Sequence, residues 1–559
     1  MQRAFPLALA VLAVTCAAAN AQSPATPAER AHAVHVLNRL AFGPRPGDVD
    51  RVLAVGVDRW IEQQLNPDRR DVPPEVPLAS CEVWDAPIAD VPTVQHMISI
   101  MTNQDGAMLS GRLGLSGGFT LDRPASGAST SIFLLNRRMV ACRVMRAERS
   151  DYQLLEVMTD FWSNHFSIFS GALPSRNTLA MYDRASVRPN ALGRFRDLLG
   201  AVAHDPAMLT YLNNDVSGAL DGERTLAEYV EGLRAGMIPH NGLNENFGRE
   251  LMELHTLGVD GGYTEMDVIN VARAFSGWTH SGLKYGCVEA LLPDQTRMTC
   301  RERLLNAPAF RFDSTKHDAG TKVILGRILP PGRGLQDGDD VLDMLARHPS
   351  TARFIARKLA VRFISDAPPQ SIVDRAAETF LRTDGNIRAV LHTIIDSDEF
   401  GSAQHAKVKT PLEFVLSVRR ALNAPYDHDG YAVDALMDMD QPPYGHRSPE
   451  GWPETGSAWL STSSVLARIN YAHAVAHDSV PSISVKTWPA WQLLKSEPYT
   501  KQADGVIATL LHGRASPELR AALLAAEPAH PEPESAAARE EGLRKVLALV
   551  LGSPDFQRR

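Results

Sequence analysis

NENFGRELMELHTLGVDGGYTEMDVINVARAFSGW, residues 244–278, is the stretch from which the rest of the chain is read. Its pattern predicts two helices and a tight turn. The first helix runs from about Glu245 to Leu257 and stops at Gly258, because glycine accepts the left-handed conformation of a helix C-terminus. Gly261 and Gly262 make the turn. Thr264 then caps the second helix, with Asp267 three residues later returning the bond as a capping box. At about 100° per residue, Phe247, Leu251, Leu254 and Leu257 share one arc that should face a core. Glu250 falls inside that arc, with Glu253 and His255 on its edges. A carboxylate on a buried face must be paired, hydrogen-bonded, metal-bound or protonated. This pattern therefore points to an interior site around Glu250.

The same periodicity runs through most of the 559 residues, so the fold class is mainly α. We expect a multi-helix array with a small two-stranded element and long irregular loops. Thr26-Pro27-x-Glu29 and Thr410-Pro411-x-Glu413 each open a helix with a cap, an early proline and a returning acid. A helix from Asp151 to about Phe166 carries FWSNHF, and its apolar arc holds Leu154, Leu155, Met158, Phe161, Trp162 and Phe166. His165 lies near its centre and is expected to be buried; Asp160 and Asn164 lie off it. Phe310, Phe312 and Val323-Ile324-Leu325 suggest the two-stranded element. IRAVLHTIIDSDEF (387–400) resembles LRKVLALVLGSPDF (543–556), a packing unit used twice. Four segments follow: a signal peptide at 1–21, N-terminal helices and loops at 22–130, a helical core at 131–425, and an aromatic loop with further helices at 426–559.

Residues 1–21 have a positive Arg3, an apolar run from Phe5 to Val14 and a small-x-small site at Ala19-Asn20-Ala21. That is the pattern of a secretory signal peptide, so the protein is expected to be exported, periplasmic or extracellular. No other run approaches the roughly 18 apolar residues of a membrane span. Of the cysteines left after cleavage, Cys287 and Cys300 flank a short loop and are the favoured disulfide, with Cys81 and Cys142 the other option. The composition is 44% hydrophobic and 22% charged with a net charge of -8, which argues against a nucleic-acid partner.

HVLNRLAFGPRPGDVDRV (35–52), FWSNHF (161–166), the 244–268 stretch, ARAFSGW (272–278), HDAGTKVILG (317–326), KTPLEFV (409–415) and GSPDFQ (552–557) occur in that order. Together they resemble the large bacterial family catalogued as domain of unknown function eighteen-hundred. The resemblance covers nearly the whole mature chain and implies a secreted, mostly helical protein, with no assigned activity. Genes of the family often lie beside a second, sulfatase-like secreted family, which hints at polysaccharide-related work.

The candidate chemistry follows from ionisable residues on these faces. Glu250, His165 and Glu253 are the candidate catalytic groups, with Glu250 as an acid or base whose pKa burial raises. His165, Glu250 and His255 are the candidate ligands of a divalent metal, although His255 sits about 140° round the helix from Glu250. The spacing is not the Glu-x-x-His of di-iron bundles. The plainer alternative is a buried Glu250 paired with an arginine or with His165 for structure alone. His317 and Asp318 on a loop suit acid–base or metal work, or simply turn capping. Asn164, Trp162, Asn246, Arg273 and Lys322 are candidate ligand contacts. Asn244 and Asn246 also suit helix capping, and Arg273, off the apolar arc of its helix, suits a solvent-facing or salt-bridge role. Trp278, Trp452 and Trp459 would stack on sugar rings, unless they pack in the core. No Gly-x-Ser-x-Gly, Walker A, Gly-x-Gly-x-x-Gly or His-Glu-x-x-His occurs. Two functions remain: a hydrolytic enzyme, metal-assisted or not, acting on an envelope or extracellular polymer, and a non-catalytic assembly or glycan-binding scaffold. The partners are accordingly a polysaccharide or an envelope protein.

Overall fold

The computed structural model describes residues 25–67, 140–172, 179–281, 309–427, 430–527 and 535–559. The signal peptide, the loops after residue 67 and Cys16, Cys81, Cys287 and Cys300 lie outside them. Cys142 is fully buried and is not a free thiol. Among the described residues no helix is long and apolar enough to cross a membrane.

The architecture is mainly helical, and local capping chemistry sets many helix starts. α1 (Pro27–Leu40) begins at Thr26, whose hydroxyl accepts from the Glu29 amide while Glu29 returns the bond. α2 (Gln153–His165) carries FWSNHF and buries Leu154, Met158, Phe161 and Trp162. α3 (Asn246–Met252) continues directly into a wider π-turn, Glu253–Leu257, that ends at Gly258 with φ of 81°. α4 (Glu265–Phe275) opens on the Thr264/Asp267 capping box.

α3 and α4 pack backbone to backbone, and Gly248 permits it. A Cβ on Gly248 would lie 2.9 Å from the Ala272 nitrogen and 3.1 Å from the Val268 carbonyl oxygen. Gly248→Ala should therefore cost about 1–3 kcal/mol by overpacking. Urea unfolding measures this; an unchanged midpoint would mean that the two helices have room to part.

Two antiparallel ribbons stand where one was expected. β1 (Trp278–Ser281) pairs with β2 (Ala309–Phe312), Trp278 opposite Phe312; β3 (Lys322–Ile324) pairs with β4 (Arg327–Leu329). The Phe310/Phe312 strand thus takes its partner from the end of α4, and Val323-Ile324 from the chain just after it. Trp278 is fully buried, at the back of α4.

The second half stacks helices. α5 (Pro349–Phe363) packs on Gln370–Arg382 and touches the π-turn. α6 (Pro411–Ala421) opens on the Thr410/Glu413 capping box. α7 (Ala536–Gly552) packs on Thr462–Ala476 and Tyr499–Leu510. The repeated unit is real in structure. Ser397 and Ser553 each follow a helix and accept from the amide three residues on, and Phe400 and Phe556 are buried beneath them.

Candidate functional site

His165, the last residue of α2, is enclosed by aromatic rings. Its centroid lies 4.4 Å from Phe166, 5.4 Å from Trp162, 6.2 Å from Phe354 and 6.3 Å from His255. Lys358 of α5 places its Nζ 2.9 Å from His165 Nδ1. An ammonium only donates, so Nδ1 accepts and the ring hydrogen sits on Nε2. From there it is donated to the His255 carbonyl oxygen at 3.1 Å. Burial first, then the Lys358 and His255 charges, hold His165 well below the usual imidazole range. His255 is 1% exposed, its Nε2 has no hydrogen-bond partner among the described residues, and burial pushes its pKa down to about 3. Both rings are neutral at ordinary pH and too weakly basic for proton abstraction. What the arrangement does is join three elements: the end of α2, the π-turn and α5.

The π-turn explains why His255 points inward. A wheel at about 100° per residue sets it at the edge of the helix face. The structure widens the winding from Glu253 onward, and Thr256 donates its hydroxyl to the Leu251 carbonyl five residues back at 2.7 Å. One extra residue in the turn rotates His255 into the core.

Glu250 does not join this cluster. It is half-buried, not interior, and its carboxylate accepts no hydrogen bond among the described residues. Burial raises its pKa, the neighbouring Glu253 and Glu450 carboxylates add to the rise, and Arg249 opposes it. Arg249 is engaged elsewhere, with Glu265 at 3.0 Å and Glu245 at 3.2 Å. Glu253 accepts from the Tyr263 hydroxyl at 3.3 Å. Tyr211 also feels Glu250 and donates its hydroxyl to the Arg447 carbonyl at 3.0 Å. The expected single interior centre is therefore two places: a dry imidazole pair, and a carboxylate rim at the surface.

The aromatic loop borders that rim. Asn164, one residue before His165, holds Trp452 by both ends of its peptide group: Asn164 Nδ2 donates to the Trp452 carbonyl and the Trp452 amide donates to Asn164 Oδ1, each at 2.7 Å. Trp452 is half-buried, with His446 4.7 Å away edge-on and Trp459 5.9 Å away. Trp459 is 5% exposed and gives its indole hydrogen to the Pro453 carbonyl. Trp162 is fully buried and gives its own to Ala191 at 2.9 Å. Asn246 reaches the Leu212 carbonyl, and its amide is capped by Asn244 Oδ1 at 3.0 Å.

His317, Asp318 and Lys322 form a separate, completely buried knot. Asp318 accepts from Arg273 Nε at 3.1 Å and Nη2 at 3.0 Å, and from the Leu220 and Gly320 amides at 3.2 and 2.9 Å. Lys322 Nζ lies 2.8 Å from Asp337 and donates to the Asp318 and Gly320 carbonyls. His317 donates Nδ1 to the Ser276 carbonyl at 2.7 Å. Arg273 is thus an interior residue of the knot, 8% exposed, and its Nη1 also reaches Asn270 and the Thr321 carbonyl. The group pins the β2–β3 connection to the end of α4.

A divalent metal on His165, Glu250 and His255 does not fit these donors. Both His165 nitrogens are spoken for and Glu250 has other neighbours. Among the described residues no group of three or more His, Cys, Asp or Glu side chains is placed to hold a metal ion. Sequence reasoning missed Lys358, Tyr211 and Glu450. Lys358 lies 193 residues from His165, and no local pattern marks such a pairing.

No curated protein and no solved structure matches this chain. A family model described as protein of unknown function (DUF1800) does, over residues 35–558.

Proposed function

We propose that this chain, which belongs to the DUF1800 family of proteins of unknown function, is an exported hydrolase of an extended envelope polymer with Glu250 as its proton donor. The observation that carries this is Glu250 itself: a half-buried carboxyl group, raised in pKa, free of hydrogen bonds to the described residues. A general acid needs a carboxyl pKa above the usual range, and burial shifts Glu250 in that direction. Glu253 or Glu450, both close enough to act on Glu250 electrostatically, supplies the second carboxylate that glycoside cleavage requires. Trp452 offers a partly open aromatic face of the kind that stacks on a sugar ring. Export rests on the signal pattern of residues 1–21.

Glu250→Gln is expected to leave the unfolding midpoint unchanged, since the carboxylate makes no hydrogen bond to the described residues. It should cut release of reducing ends from a susceptible polysaccharide by about 100-fold or more. A panel of cell-envelope and extracellular polysaccharides, assayed for new reducing ends, tests this. If Glu250→Gln cleaves as fast as wild type, Glu250 is not the acid. If wild type binds a polymer in the panel without cleaving it, the second function holds, a glycan-binding scaffold. The Asn164 clamp on Trp452 favours that alternative specifically, because it fixes the backbone of a loop whose tryptophan is only partly buried. Trp452→Ala should then abolish retention on the polymer.

A further inference from the structure

KTPLEFV does more than start α6. Lys409 and Ser417 both line a cavity of about 340 Å³, together with Asn38, Gly43, Trp488 and Phe556. Exposed Leu493 also lines it, so the cavity reaches solvent. Lys409 Nζ donates to Ser417 Oγ at 3.2 Å, and the Ser417 hydroxyl donates to the Phe414 carbonyl at 2.9 Å, so the hydroxyl turns to Nζ only once Lys409 is neutral. Both residues are buried, at 5% and 3% exposure. A buried structural lysine ordinarily meets a carboxylate. Among the described residues Lys409 has none in ion-pair contact; its ammonium instead rests 4.1 Å over the Phe556 ring. Its backbone is fixed on both sides. The Lys409 amide donates to the Gln557 carbonyl, and its carbonyl accepts from Arg468 at 2.9 Å.

We propose that Ser417 and Lys409 are a nucleophile–base pair for cleaving small acyl esters, with the Asn38 side-chain amide and the Gly43 backbone N–H as oxyanion donors. Two observations beyond the pair support this. Neither the Asn38 amide nor the Gly43 N–H has a hydrogen-bond partner among the described residues, although both line the cavity. And the turn that carries Gly43 lies directly over the serine. A Cβ on Gly43, whose φ is 87°, would be 3.2 Å from Ser417 Cβ. Arg420 holds that turn by donating Nε to the Gly43 carbonyl at 2.8 Å. Burial pushes the Lys409 pKa down to about 7; Glu413 on α6 opposes this, and Arg559 and Arg468 add to it. His405 and His512 also face this charge.

In the reaction, neutral Lys409 Nζ takes the Ser417 proton as Oγ bonds to the acyl carbon. The C–O bond to the leaving alcohol breaks, and the alcohol takes that proton from the ammonium. Water then attacks the acyl-serine, giving one proton to Lys409, which returns it to Ser417 Oγ as the carboxylic acid leaves. Serine–lysine pairs are an established variant of the serine–histidine arrangement. The cavity volume is near the lower end of ligand pockets, which limits the acyl group to a short chain. This site shares no residue with the Glu250 rim, so it stands or falls independently.

The test exposes the full chain to a fluorophosphonate probe and, separately, to p-nitrophenyl acetate. The expected result is a one-to-one adduct on the peptide containing Ser417, forming faster as pH rises through about 7. Ser417→Ala should abolish both adduct and ester cleavage. Lys409→Met, which keeps the apolar chain over Phe556, should slow both by about 100-fold or more with the far-UV spectrum unchanged. Asn38→Ala should slow ester cleavage without changing the unfolding midpoint. Folded wild type that yields no Ser417 adduct overturns the proposal, whatever the variants do. So does a Lys409→Met protein that labels at the wild-type rate.

Discussion

Glu413→Gln should destabilise the protein by about 3–5 kcal/mol, the range seen when one member of a buried charge group is removed. Glu413 Oε1 lies 3.1 Å from Arg362 Nη2 and 2.8 Å from Arg559 Nη2. Arg362 also meets Glu454 at 3.2 Å, and Lys407 donates to the Glu454 carbonyl at 2.8 Å. With Glu413 neutral, two buried guanidiniums lose the charge they share. Burial alone would raise the Glu413 pKa; Arg559 and Arg362 overrule it and hold it at about 2. A carboxylate with a depressed folded pKa contributes stability above its unfolded value and loses it as pH falls toward the folded one. The wild-type advantage over Glu413→Gln should therefore be full above about pH 5 and shrink steadily below it. Urea unfolding from pH 3 to 7 measures this. A difference under about 1 kcal/mol at pH 7 would mean that the group is well hydrated and its geometry incidental.

Asp318→Asn is the second large effect, again about 3–5 kcal/mol. The carboxylate receives four donors, two of them from one guanidinium. An asparagine offers one acceptor oxygen and turns an NH₂ toward the remaining donors. Arg273, buried, would then lose its paired carboxylate, while Lys322 keeps Asp337. Hydrogen exchange should show amides in residues 317–324 losing protection ahead of the α2 and α5 amides. If Asp318 instead served as an exchangeable acid or base, Asp318→Asn would keep its unfolding midpoint and lose only activity. That outcome would overturn the structural role.

The fold was legible where its causes are local. Thr26 with Glu29, Thr264 with Asp267 and Thr410 with Glu413 are capping boxes written three residues apart, and all three form. His165 sits in the core as its place on the apolar arc requires. The sheet was harder. The partner of Phe310 and Phe312 is Trp278–Ser281, across a long intervening segment, so proximity in sequence suggested the wrong pairing. The site was harder still. A regular wheel cannot register the change of winding at Glu253, so it misplaced His255 and overstated the burial of Glu250. Lys358 and Glu450 come to the site from other parts of the chain, and Glu413 reads as a cap long before it reads as an ion-pair hub. The Ser417–Lys409 contact spans only eight residues, yet nothing in KTPLEFVLS marks it, because the cavity beside it is built by Gly43, Trp488 and Phe556.

The widened turn after Met252 carries a consequence for how this region can vary. Its job is a matter of chain length. Adding one residue between Glu253 and Leu257, with the wide turn already holding its one extra residue, would swing everything downstream by about 100°. The imidazole would leave the ring cage, and Gly258 would meet α5 out of register. Many single substitutions there should be survivable, whereas an insertion of one residue should not, and a scan of both kinds would separate the two.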